Sequence, residues 1–107
     1  MLLTPFSADA EDVRTQTFVK TYEEQFGEIP NQFAADAYDG VRAVAEALKE
    51  AGLGVDADPT EVAEKLPKAM LKITVDGLTG KLTWNDKGQV QKDPTAYVIT
   101  DGKYVQA

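Results

Sequence analysis

Leu71-Lys72-Ile73-Thr74-Val75-Asp76-Gly77-Leu78-Thr79-Gly80-Lys81-Leu82-Thr83-Trp84 is the stretch in which the periodicity of this chain changes. Up to Met70 the apolar residues recur every three or four positions, as one side of a helix requires. From Leu71 they alternate, Ile73 and Val75 with Thr74 and Asp76, then Leu82 and Trp84 with Lys81 and Thr83. Alternation puts the apolar set on one face of a strand, and Gly77-Leu78-Thr79-Gly80 between the two runs reads as a turn. Helices therefore precede this point and short antiparallel strands follow it. The fold class is α+β.

Downstream, Asn85-Asp86-Lys87-Gly88 is a hairpin loop with glycine placed for positive φ, and Gln89-Val90-Gln91 is the candidate return strand. Ala96-Tyr97-Val98-Ile99-Thr100 and Lys103-Tyr104-Val105 flank Asp101-Gly102, a two-residue hairpin signal. Upstream, the spacing predicts three helices. The first runs from about Asp9 to Phe26, with Asp9 or Asp12 as N-cap, Phe18, Val19, Tyr22 and Phe26 on one side, and Gly27 and Pro30 ending it. The second follows Asn31 and carries Phe33, Ala37, Tyr38, Val41, Val44, Ala45 and Leu48 as one apolar stripe up to Gly52. The third starts at Asp58-Pro59-Thr60-Glu61, and Pro67 is expected to break or kink it near Leu66.

With 107 residues, one domain is all the length allows. Eighteen acidic against eleven basic residues give a net charge of −7, which argues against nucleic acid and against an anionic membrane surface. Cys and His are both missing, which excludes thiol catalysis, His general-base catalysis and Cys/His zinc sites. No stretch approaches the roughly 20 apolar residues of a membrane span. Met1-Leu2-Leu3-Thr4-Pro5-Phe6 is too short for a signal-peptide core and reads as a buried strand ending at a proline. A mature chain seldom begins inside a core strand, so a longer protein is expected upstream.

Chemistry is sparse. Asp36 and Asp39 lie three apart on the second helix, where a solvated face accounts for them better than acid–base work. Asp56, Asp58 and Glu61 lack the central glycine and distal glutamate of a calcium loop and read as caps. Asn85-Asp86-Lys87-Gly88 reads as a turn. Ser7, the only serine, has no base to activate it, and Trp84 is expected in the core. Phe33 and Tyr38 open the long helix. Core packing is their first reading and a ligand wall their second.

Asn31-Gln32-Phe33-Ala34-Ala35-Asp36-Ala37-Tyr38-Asp39-Gly40-Val41, with Thr4-Pro5-Phe6-Ser7 upstream and Gly77-Leu78-Thr79-Gly80-Lys81-Leu82-Thr83-Trp84 downstream, resembles the branched-chain amino-acid binding proteins of ABC importers. These are type I periplasmic binding proteins, or extracellular ligand-binding receptors. The resemblance takes in nearly the whole chain, 1–107, as a single partial domain similar to the last third of such a protein. It implies a parent of two α/β lobes that trap a small amino acid for an ABC permease outside the cytoplasmic membrane. That location is the periplasm, or a cell-surface lipoprotein in a Gram-positive bacterium. It implies no catalysis and no cofactor. By the same resemblance Phe33 lines the ligand cleft, with Tyr38 close by. A ligand-sensing domain of a receptor or regulator is the alternative; a small carboxylate enzyme is a distant third. The stripes on the two long helices and the free edge at Leu2-Leu3-Thr4 lead us to expect a homodimer of the isolated chain.

Overall fold

The computed structural model describes all residues, Met1–Ala107. In chain order the elements are β1 Leu2–Thr4, α1 Val13–Phe26, α2 Gln32–Glu50, α3 Pro59–Met70, β2 Val75–Gly77, β3 Gly80–Trp84, β4 Val90–Gln91, β5 Thr95–Thr100 and β6 Lys103–Gln106. The strands form two antiparallel sheets, ordered β1-β5-β6 and β2-β3-β4. The switch of period at Leu71 is where helix gives way to strand.

Local chemistry explains most boundaries. Asp12, not Asp9, caps α1: its carboxylate accepts from the Thr15 amide at 3.0 Å. Asp9 turns instead to the far end of the chain and accepts from the Tyr104 amide at 2.9 Å. Gly27 closes α1 in the left-handed conformation, φ 73°. Asn31 accepts from the Phe33 and Ala34 amides at the start of α2. Asp101 and Gly102 both have positive φ, 50° and 77°, as the tight β5–β6 turn requires.

Of the break or kink expected at Pro67, the break does not occur. The helix runs through it to Met70. Proline removes the bond to the Ala63 carbonyl, but both residues are exposed, so water can satisfy the orphaned oxygen. The first strand is also less buried than expected. Thr4 is buried, while Leu3 is 64% exposed.

The pairing of β1 with β5, Leu2 opposite Tyr97 and Thr4 opposite Thr95, ties the two ends of the chain together. The packed core is small: Ala43, Val75 and Leu82, with Met70, Ile73 and Trp84 against them. The radius of gyration is 16.2 Å. A compact domain of this length has a radius of roughly 13 Å. The chain is a thin, elongated body of 52 × 30 × 18 Å.

Candidate functional site

Two sides of α2 hold the residues singled out by sequence. The inward side is Ala35, Asp39, Ala43 and Ala47, spaced by four. Small side chains let the β2–β3 hairpin approach, and the one polar member catches its turn. Asp39, only 1% exposed, accepts from the Leu78 amide at 2.9 Å, the Thr79 amide at 2.8 Å and the Thr79 hydroxyl at 2.7 Å. A Cβ on Gly77 would lie 2.5 Å from Asp39 Oδ2, so glycine is required there by close approach. Lys92 Nζ completes the knot, donating to Asp36 at 2.7 Å and to Thr79 Oγ1 at 3.1 Å.

Neither carboxylate therefore belongs to a solvated helix face. Asp39 is an anchor, because a buried carboxylate needs several donors and the turn supplies three. Asp36 is half-buried and ion-paired. The four-residue spacing of Ala35, Asp39, Ala43 and Ala47 is the signal that locates this side; Thr79 and Lys92 come to it only through the fold.

Phe33 and Tyr38 are five residues apart, which turns their side chains about 140° from one another around the helix. The structure does not bring them together. Phe33 is 71% exposed on the first turn of α2. Tyr38 faces α1, its ring 5.1 Å from that of Phe18, with the Arg42 guanidinium 6.0 Å from its centroid. Phe18 also meets Phe6 edge-on at 6.1 Å, and the Tyr22 ring lies tilted against Phe26 at 4.6 Å. Phe18, Tyr22, Phe26 and Tyr38, with Ala34, line an open groove of about 380 Å³ between α1 and α2.

A more polar hollow of about 220 Å³ lies where the two sheets meet α1, among Phe6, Asp12, Arg14, Asp76, Leu78 and Tyr97. Arg14 guards it, donating to the Asp76 carbonyl at 2.6 Å and pairing with the Asp76 carboxylate at 3.2 Å. Hydrogen bonding by the Thr15 side chain, helped by its amide, holds the Asp12 carboxyl below its ordinary 3.8. Burial, and then the Asp12 charge, raise the Tyr97 phenol above 10.0. Other polar residues are used locally. Ser7 Oγ accepts from the Asp9 amide, Asp58 caps α3 through the Thr60 amide, and Asn85 accepts from the Lys87 and Gln89 amides. No group of three acidic side chains gathers where it could hold a metal ion.

The family model described as periplasmic binding protein matches residues 1–103. The chain belongs to this family. Among solved structures of such binding proteins, one from Rhodospirillum rubrum, described as a branched-chain amino acid ABC transporter, is 27% identical. The match has a TM-score of 0.78 and covers 99% of this chain and 30% of that one. An ABC transporter substrate-binding protein of Desulfitobacterium hafniense, solved in complex with Leu, is 26% identical with a TM-score of 0.71, covering 95% and 29%. An R. palustris solute-binding protein in complex with benzoate shares the fold at 18% identity, with a TM-score of 0.75 and coverage of 97% and 28%. No curated protein matches significantly. This periplasmic binding protein chain thus spans about 28–30% of the length of the solved structures it matches. Its α+β arrangement is that of one portion of their fold, as the resemblance implied.

Proposed function

We propose that this chain is part of a solute-binding protein that captures a small amino acid of branched-chain type. Delivery would be to an ABC permease, outside the cytoplasmic membrane, in the periplasm or as a cell-surface lipoprotein. The reading rests on the family match over residues 1–103, with the choice of ligand class supported by the two relatives above 25% identity. Binding in this family is not catalysis, and we propose no reaction. Phe33 is proposed as an apolar ligand contact: its ring is exposed at a helix start, free to meet a ligand or a facing lobe. Tyr38, the second proposed ligand-binding residue, lies on a different side of α2 and is steadied by Phe18 and Arg42.

Titration calorimetry tests the reading on a chimera in which this chain replaces the matched portion of the R. rubrum relative. Leucine, isoleucine or valine should bind, and benzoate should not. Benzoate binding without amino-acid binding would overturn the ligand class. The isolated chain should bind none of these at micromolar concentration, because it offers one apolar wall and no complete enclosure. For the isolated chain we also propose the homodimer, through the free edge of β1 beside the exposed Leu3. Light scattering at micromolar concentration should give twice the chain mass.

A further inference from the structure

Aspartate followed by glycine occurs three times in the chain, at Asp39-Gly40, Asp76-Gly77 and Asp101-Gly102. Such a pair can react with itself. The glycine nitrogen attacks the aspartate Cγ, and because glycine has no Cβ nothing shields it. By sequence the three pairs are equivalent. The fold separates them.

Asp39 is 1% exposed, its carboxylate accepts three hydrogen bonds from the β2–β3 turn, and the Gly40 amide lies inside α2, where helical bonding takes it. Asp76 is paired with Arg14 at 3.2 Å, and its carbonyl accepts from Arg14 and Arg42. Asp76 and Gly77 are also held in register against Lys81 and Gly80. Asp101-Gly102 is different on every count. Both residues are exposed at the tip of the β5–β6 hairpin, and neither the Asp101 carboxylate nor the Gly102 amide is engaged within the chain. Asp101 is the one residue other than glycine with positive φ, 50°, a conformation that a residue with a Cβ holds at a cost. The β6 side of the hairpin is an edge strand exposed along its whole length, so the turn opens easily.

We propose that Asp101 is a site of spontaneous isoaspartate formation and that the change releases β6. The Gly102 nitrogen bonds to Asp101 Cγ, its proton passes to solvent, and a carboxyl oxygen leaves as water. Water then opens the resulting succinimide. Opening at Cγ restores aspartate, while opening at the main-chain carbonyl carries the chain through Cβ and leaves the α-carboxylate as a branch. One water leaves and one enters, so no other reactant is needed. The main chain gains one carbon between Thr100 and Lys103, which the tight turn joining that pair has no room for. The contacts then lost are the β5–β6 ladder and the Tyr104 amide's bond to Asp9 at 2.9 Å. This inference does not depend on the proposed ligand.

Asp39, Asp76 and Asp101 fall on separate tryptic peptides, so the three sites are read in one experiment. The folded chain and a guanidinium-unfolded sample are incubated at neutral pH until the unfolded sample has converted at all three pairs. Isoaspartate is scored in each digest by an isoaspartyl methyltransferase and placed by fragmentation of the labelled peptides. In the folded chain Asp101 should convert at least about tenfold faster than Asp39 or Asp76, as groups that need a larger opening react more slowly. Equal rates at the three sites of the folded chain would overturn the proposal. So would a silent Asp101 in the folded chain. Hydrogen exchange on the converted chain should show the Tyr104 amide exchanging several-fold faster, and unchanged exchange there would overturn the release of β6.

Discussion

On one side of α2, Ala35, Asp39, Ala43 and Ala47 are at most 2% exposed; on the other, Phe33 and Val41 are more than 70% exposed. The buried side holds the smaller and, at Asp39, the more polar residues. Hydrophobicity alone would have ranked the two sides the other way. What decides is approach: alanines admit the backbone of the β2–β3 hairpin, and a carboxylate then satisfies three donors that the turn would otherwise leave unpaired. Large side chains on the outer face can be buried only by a broad surface, and the 107 residues do not contain one. Burial within a chain therefore reports which partners are present as much as which residues are apolar.

Removing the anchor should break the packed side most severely. Asp39→Ala leaves the Leu78 and Thr79 amides without their acceptor and should lower stability by about 3 kcal/mol in urea unfolding. A midpoint unchanged from that of the parent chain would mean that the hairpin is held elsewhere. Gly77→Ala tests the same contact from the hairpin. Its Cβ would press on a carboxylate fixed by three hydrogen bonds, so a loss of about 1–3 kcal/mol is expected.

A third substitution touches neither side of α2 and calibrates the other losses. Asp12→Ala removes the α1 cap and should cost about 1 kcal/mol by thermal melting. The folded-state pKa of Asp12 lies below 3.8, so its stabilisation is present above pH 3.8 and lost as pH falls through the lowered value. Tyr97 has the opposite sign. Its phenol is raised above 10.0, so that contribution holds below pH 10 and is lost as pH rises through the raised value. Asp12→Ala should flatten the acid limb of the stability profile and leave most of the alkaline limb in place.

The smallest effect on folding is expected on the open side. Phe33→Ala in the isolated chain should change stability by no more than about 0.5 kcal/mol, since an exposed ring has little burial to lose. In the chimera the same change should weaken amino-acid binding by about 1–3 kcal/mol if Phe33 lines the cleft. A stability loss of about 3–5 kcal/mol in the chimera with unchanged affinity would instead make it a core residue of the completed fold.

Local features were legible in the sequence. Asp12, Asn31 and Asp58 cap helices, Gly27 closes one, Asp101-Gly102 turns a hairpin, and the period switches at Leu71, because each is settled by residues a few positions apart. Asp9 and Pro67 mark the limit of such rules. Asp9 left its expected helix for the Tyr104 amide, and Pro67 stayed inside one because solvent could take the freed carbonyl. The apolar stripe of α2 was visible too, as was the kinship of the whole chain with periplasmic binding proteins. Which side of α2 is packed, that Asp39 anchors a turn about forty residues away, and that β1 closes against β5 were decided by tertiary structure alone. These contacts depend on distances between segments far apart in the chain, and no short-range pattern of residue types encodes such a distance.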